Sequence, residues 1–280
     1  MSFNADPNLA ETDDQLINMK IQEILTILEN FEQFKQEGVS KSEHIEELKV
    51  LLGRLYGYNE DLINLFFKLF SPHECSSFLE AMDEQRPVTI RTNTLKSRRK
   101  ELIQNLMARR VGLEPVGDWS KVGLKINDSK VPIGATPEYL SGKYMLQSAC
   151  SFMPVLSLAP KPGERVLDMA AAPGGKTSYI AQLMKNQGVL VANDLKKERL
   201  KALHFNIQRL GVTNCVVVSY DGRKLTNYIK GFDRVLLDAP CTGLGVISRD
   251  QSIKSNRVEF KFIFRLRWMF TKMLISKGSF

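Results

Sequence analysis

Residues 232–250 read FDRVLLDAPCTGLGVISRD: the apolar run Val235-Leu236-Leu237 stops at a carboxylate, Asp238, and Pro240 and Cys241 follow. A thiolate is a nucleophile and a carboxyl beside it can supply or share a proton, so the pair could support covalent catalysis. The competing reading makes Cys241 a small buried hydrophobe, as most free cysteines are. Three earlier runs end in the same way. ERVLDMAAAPGGKTSYIAQLM reaches Asp168 and then a turn of Ala170, Ala171, Ala172, Pro173, Gly174, Gly175 and Lys176. GVLVAND ends at Asn193 and Asp194, and CVVVSYD ends at Asp221. One strand-end acid can be a helix cap, but four in succession would gather polar groups on one sheet edge.

Two ligands compete for the turn. A phosphate-binding P-loop would need glycine at position 170 ahead of Gly175-Lys176-Thr177, but alanine stands there and Pro173 interrupts the loop. A nucleoside site needs small residues for close backbone approach and an acid about 20 residues on to hydrogen-bond a ribose diol. Asp194 stands 19 residues after Gly175, so the nucleoside reading explains more of the pattern.

The elements that would position these groups can be read outward from them. From about residue 164, short apolar runs alternate with helical patterns, which predicts βαβ units, a parallel sheet covered on both faces, and a ligand at the carboxyl ends of its strands. Ahead of this, Val88–Arg91 reads as a strand and 97–110 as a helix with Leu102, Ile103, Leu106 and Met107 inward. The other positions of that helix carry Arg98, Arg99, Lys100, Arg109 and Arg110, a solvated face or a phosphate-contacting one. Short extended pieces around 112–127 complete a small βαβ-type domain. Residues 1–86 read as helices. Leu16, Met19, Ile24, Ile27, Leu28, Phe31 and Phe34 recur at helical spacing, with a start at Thr12–Gln15 and a stop at Gly38. Ser40 with Glu43 opens a second helix, Asn59 a third that includes Leu69, and SSFLEAMDEQ a fourth. The expected organisation is thus a helical segment over 1–86, a small α+β domain over 87–145, and a Rossmann-like α/β domain over 146–257.

Charge is divided along the chain. Residues 1–86 hold 7 Lys/Arg and 17 Asp/Glu, a net of −10, and residues 87–280 hold 32 and 14, a net of +18. A basic globular part fits a polyanion, nucleic acid above all. The four cysteines (Cys75, Cys150, Cys215, Cys241) show no paired or zinc-ligand spacing, so neither a disulfide framework nor a metal site is expected, and a reducing intracellular compartment is. The polar, acidic start is no signal peptide, and no run of 18 apolar residues offers a membrane span.

The stretches LDMAAAPGGKTSYIAQLM, AND, YDGR, FDRVLLDAPC and GVIS resemble the Nop/Sun (RsmB-like) family of RNA cytosine-5 methyltransferases. TIRTNTLK, VPIGATPEYLSGKYMLQSACSFMPVLSLAP and IKSN resemble its nucleolar branch, and the likeness runs from about residue 45 to about 257. The resemblance implies a small RNA-binding domain ahead of a Rossmann-like domain that binds S-adenosylmethionine. By position, Ala170–Lys176 would wrap the methionine part of that cofactor, Asp194 would hold its ribose, Asp221 would lie near the adenine, and Asp238 would lie beside the target base. Such chemistry suits an acid beside a thiol: addition of a thiolate at C6 of cytosine makes C5 nucleophilic, and an acid near N3 balances the developing charge. The base must be unstacked to reach the site. The implied substrate is large-subunit ribosomal RNA or a pre-ribosome, the implied compartment the nucleus and nucleolus, and no membrane is implied.

In this family the attacking thiol belongs to a later Thr-Cys motif, and the Pro-Cys thiol, Cys241 here, is its helper. No Thr-Cys occurs in this sequence. After Arg257 the family pattern gives way to VEFKFIFRLRWMFTKMLISKGSF, whose phenylalanines alternate with basic and aliphatic residues. Residues 258–280 therefore read as a non-family tail on a sheet incomplete at its C-terminal side. Two expectations follow: a methyltransferase in which Cys241 acts, or a chain that binds RNA or cofactor without turnover.

Overall fold

The computed structural model describes residues 7–34, 38–239 and 243–256. Cys241 and the alternating pattern of 258–280 lie outside the described residues. The chain divides into two compact units: the residues up to Arg86 together with 243–256, and residues 87–239.

The first unit is helical, with α1 (Pro7–Glu29), α2 (Phe31–Phe34), α3 (Lys41–Tyr56), α4 (Glu60–Leu69) and α5 (Pro72–Asp83). The caps explain the starts. Ser40 and Glu43 form a capping box on α3, the Asn59 side chain accepts from Leu62 N–H on α4 at 3.0 Å, and Ser71 with Glu74 boxes α5. Gly57, at φ 73°, ends α3 in the left-handed conformation that glycine tolerates best. Ile17, Ile21, Ile24, Leu25 and Leu28 face Leu48, Leu52, Leu62, Ile63 and Phe66 in one core.

Several sequence expectations fail here. The helix starts at Pro7, not at Thr12, and it breaks at Asn30 before Phe31. Leu16 and Met19 are 61% and 70% exposed because the buried stripe begins at Ile17. Phe34 and Leu69 are also exposed, and the last helix of this series begins at Pro72, four residues before the expected segment.

The second unit opens with β1 (Thr89–Thr92), α6 (Arg99–Ala108), β2 (Val111–Pro115), β3 (Gly123–Ser129), α7 (Pro137–Leu140) and β4 (Tyr144–Leu146). The sheet order is β2-β3-β1-β4, with β3 antiparallel to both β1 and β2. β1–α6–β2 is therefore a split βαβ unit with β3 inserted. Its core holds Ile90, Leu102, Leu106, Val111, Leu124, Ile126 and Tyr144, whereas Met107, expected inward, is 61% exposed.

After α8 (Met153–Leu158) come β5 (Arg165–Asp168), α9 (Gly175–Leu183), β6 (Val189–Asn193), α10 (Lys197–Leu210), β7 (Cys215–Val218) and β8 (Arg234–Leu236). These four strands are parallel in the order β7-β6-β5-β8. This is the Rossmann-like α/β architecture expected from the sequence. The chain leaves β5 toward β6 on one side and returns to β8 on the other, so strand order reverses at β5. Such a switch point is where open parallel sheets bind ligands. A last short helix, α11 (Ile253–Asn256), belongs to the helical unit: Lys254 is 6% exposed, donates to Tyr56 O at 2.8 Å and pairs with Asp83.

Candidate active site

The loop between β5 and α9 forms one wall of a cleft of about 220 Å³. Ala170, Ala171, Ala172, Pro173, Gly175 and Lys176 line it, Asp238 enters from the end of β8, and Gln147, Ser148 and Ser151 enter from the segment after β4. The cleft thus sits at the switch point. The Ala172–Pro173 peptide is cis, and Gly174 caps α9 at φ 100°, a conformation open to glycine and strained for other residues. A Cβ on Gly174 would stand 3.0 Å from Leu203 Cδ1.

Four acids at the strand ends do four different things. Asp168 is 1% exposed beneath the loop. Its Oδ2 accepts from Thr177 Oγ1 at 2.8 Å, and its Oδ1 has no partner among the described residues. Burial pushes this carboxyl up to about 7, against the downward pull of the Thr177 bond, Lys176 and the Ala170 N–H. Asp194 is 3% exposed and clamps the loop: its Oδ2 accepts from Ala172 N–H and its Oδ1 from Lys196 N–H, both at 3.1 Å, with Arg199 3.4 Å away. Asp221 lies past β7, where Arg223 binds both its oxygens and holds its pKa down at about 2. Asp238 pairs with Lys176 Nζ at 2.6 Å. The structure therefore brings Asp238, Lys176 and the small-residue turn together in one cleft, with Asp168 under its floor. Asp194 and Asp221 do not line that cleft.

The residues that join these parts include Asn193, already marked as a strand end, and others with no signal in the sequence. Asn193, 1% exposed, donates to Met169 O and Tyr220 O and accepts from Tyr220 N–H, which ties three strand ends together. Gln147, Ser148 and Ser151 fall in a stretch with no strand-end signature and reach the cleft only because β4 pairs with β1. Arg109, which caps the C-terminus of the basic helix α6, is engaged by Glu138 through two hydrogen bonds of 2.9 and 3.1 Å, so it is not an uncommitted phosphate ligand. Among the described residues no cluster of acids, cysteines and histidines could hold a metal ion, and no helix is long and apolar enough to cross a membrane.

Two family models match, that of the 16S rRNA methyltransferase RsmB/F over residues 155–275 and that of the N-terminal domain of the 16S rRNA methyltransferase RsmF over residues 59–149. A solved structure described as a methyltransferase homolog from Pyrococcus horikoshii is 34% identical, covers 85% of this chain and 73% of that one, and superposes with a TM-score of 0.72. The chain belongs to the RsmB/F methyltransferase family. The first match continues to residue 275, into the stretch that the sequence analysis set apart as a tail. Among curated relatives, the Schizosaccharomyces pombe 25S rRNA (cytosine-C(5))-methyltransferase nop2 is 55% identical over 88% of this chain and 41% of its own length. The human 28S rRNA (cytosine(4447)-C(5))-methyltransferase is 53% identical over 94% of this chain and 32% of its own length. The chain thus spans 32% to 41% of the length of these relatives.

Proposed function

We propose that this chain carries the cofactor and base sites of an enzyme that methylates C5 of cytosine in large-subunit ribosomal RNA from S-adenosylmethionine, in the nucleolus during ribosome assembly. The observation that carries the reading is the cleft at the β5/β8 switch point, where a small-residue loop and a Lys176–Asp238 pair share one wall. The residues fit the cofactor. The stretch from Ala170 to Gly175 presents little side chain to the cleft, so the backbone is open to close approach by a ligand. Ala170–Lys176 would lie along the methionine part, and the ribose and adenine would extend out of this cleft toward Asp194 and Asp221, which lie outside its lining. When bound, the cofactor supplies an electrophilic methyl group. Asp238, held by Lys176, would share a proton with the base at N3. The 25S and 28S relatives and the net charge of +18 over residues 87–280 support an RNA substrate.

The thiols narrow the choice of nucleophile within this chain. Burial pushes Cys75 up to about 11 and Cys215 up to about 12, so neither yields a thiolate near neutral pH. Cys150 is exposed, between two serines that line the cleft. Cys241 follows Asp238 in sequence and is our assignment for the thiol that acts on the base, as nucleophile or as helper. The test is methyl transfer from labelled S-adenosylmethionine to large-subunit ribosomal RNA, with Asp238→Asn, Cys241→Ala and Cys150→Ala in parallel. We expect cofactor binding by all four proteins and transfer that falls at least a hundredfold in Asp238→Asn; in Cys241→Ala, loss of transfer assigns Cys241 as the nucleophile and retained transfer with slower turnover assigns it as the helper. Binding without transfer by the unsubstituted chain would support the second reading, a binding form without turnover. Absence of both would overturn the proposal.

A further inference from the structure

A buried cation without an anion stands behind the cleft. Arg91, on β1, is 1% exposed. Its Nη1 donates to Gln147 Oε1 and, at 2.6 Å, to Gly175 O, while its Nη2 donates to Ser178 Oγ at 2.8 Å. Its guanidinium lies 4.8 Å from the Tyr179 ring centroid. Among the described residues none of its hydrogen-bond partners is a carboxylate, and a buried guanidinium can only donate.

That one-sidedness decides how Gln147 is turned. The amide oxygen must face Arg91, so the amide nitrogen must face away. Nε2 gives one N–H to Ser151 O at 3.3 Å, and the other N–H has no protein partner among the described residues. The backbone cannot swing the side chain elsewhere: Gln147 N–H donates to Thr89 O and Gln147 O accepts from Thr89 Oγ1 at 2.7 Å. Gln147 packs over Gly175 and lines the same cleft as Lys176 and Asp238.

The cleft's polar inventory has a shape of its own. Lys176 and Asp238 neutralise one another, which leaves the Gln147 amide as a hydrogen-bond donor fixed by a buried charge. A cytosine offers a donor at its exocyclic amine and an acceptor at its C2 carbonyl. An acid answers the first, and a fixed amide N–H answers the second.

We propose that Gln147 is a base-positioning residue that donates its Nε2 N–H to the C2 carbonyl of the target pyrimidine, with Arg91 setting its orientation. The proposal rests on the methyltransferase reading above. The test uses the full chain and two substitutions, Gln147→Glu and Gln147→Met. Glutamate keeps an acceptor for Arg91 and removes the donor, whereas methionine removes both.

The readouts are thermal stability, affinity for S-adenosylhomocysteine, and affinity for a single-stranded RNA oligonucleotide with cytosine at the target position against the same strand with an abasic site there. We expect Gln147→Glu to melt no lower than the unsubstituted protein and Gln147→Met to melt lower. Both should keep cofactor affinity within about twofold and lose the preference for cytosine by about tenfold, the scale of one specific base contact. A retained preference in Gln147→Glu overturns the base contact. A tenfold loss of cofactor affinity overturns it too, since the amide would then serve the cofactor's carboxylate. A lower melting point in Gln147→Glu overturns the Arg91 clamp. If the unsubstituted chain binds neither cofactor nor cytosine selectively, the methyltransferase reading itself has failed.

Discussion

Asp168→Asn isolates the electrostatic cost of the acid beneath the small-residue loop. The carboxyl sits 1% exposed, with one oxygen on Thr177 and the other unpartnered. Its pKa rises from an ordinary 3.8 to about 7, burial being the largest cause. A folded-state pKa above the unfolded value means that the folded protein holds the proton more tightly. The stabilising contribution is therefore complete below about pH 3.8 and is lost as pH rises to about 7. At roughly 1.4 kcal/mol per pKa unit, that loss amounts to as much as about 4 kcal/mol. The amide cannot ionise, so its stability carries no such slope. Its new N–H₂ group lacks an acceptor, a cost of about 1–3 kcal/mol that does not change with pH. The variant should thus be the less stable protein near pH 4 and the more stable one at pH 8, with the two curves crossing between. Urea unfolding of both proteins at half-unit steps from pH 4 to pH 8.5 measures the difference directly. Parallel curves would refute the reasoning, because they would mean that Asp168 is ionised in the folded protein throughout and that burial does not govern it.

Two further outcomes follow from single contacts. Gly174→Ala forces a side chain onto a backbone at φ 100°, with its Cβ 3.0 Å from Leu203 Cδ1. It should cost about 1–3 kcal/mol by thermal unfolding and weaken S-adenosylmethionine in calorimetric titration, with Gly175→Ala, whose Cβ meets nothing closer than 3.6 Å, as the mild control. Lys254→Met removes the buried ammonium that binds Tyr56 O and Asp83 and lies 4.9 Å from the Tyr58 ring. A loss of about 1.5–3 kcal/mol is expected from the charged hydrogen bonds, and hydrogen exchange in α3 and α5 should quicken while the parallel sheet is unaffected.

Local rules carried much of this protein, and they failed where packing took over. Ser40 with Glu43 and Asn59 announced their helices because a cap is satisfied within a few residues of itself. The parallel sheet was legible because short apolar runs closed by acids cannot be anything else in a chain that alternates them with helices. The turn from Ala170 to Lys176 stood out as the candidate ligand loop by its small side chains. On α1, Ile24, Ile27 and Leu28 are buried as expected but Leu16 and Met19 are not, since Leu16 and Ile17 are both strongly apolar and only the partner helices choose between them.

The site divides in the same way. Sequence alone supplied the loop, the strand-end acids and the chemistry they suit, because those features are written in consecutive residues. Only the tertiary structure decided which of them meet. Strand order placed β8 beside β5, and so joined Asp238 to Lys176 across 62 positions of sequence. It left Asp194 clamping the loop from below and Asp221 against Arg223. It also placed Gln147, just past β4, in the cleft wall with Arg91 behind it, a contact across 84 positions of sequence between Arg91 and Gly175. No periodicity records such a meeting, because burial of a guanidinium and the turn of one amide are settled by partners that are distant in the chain and adjacent only in the fold.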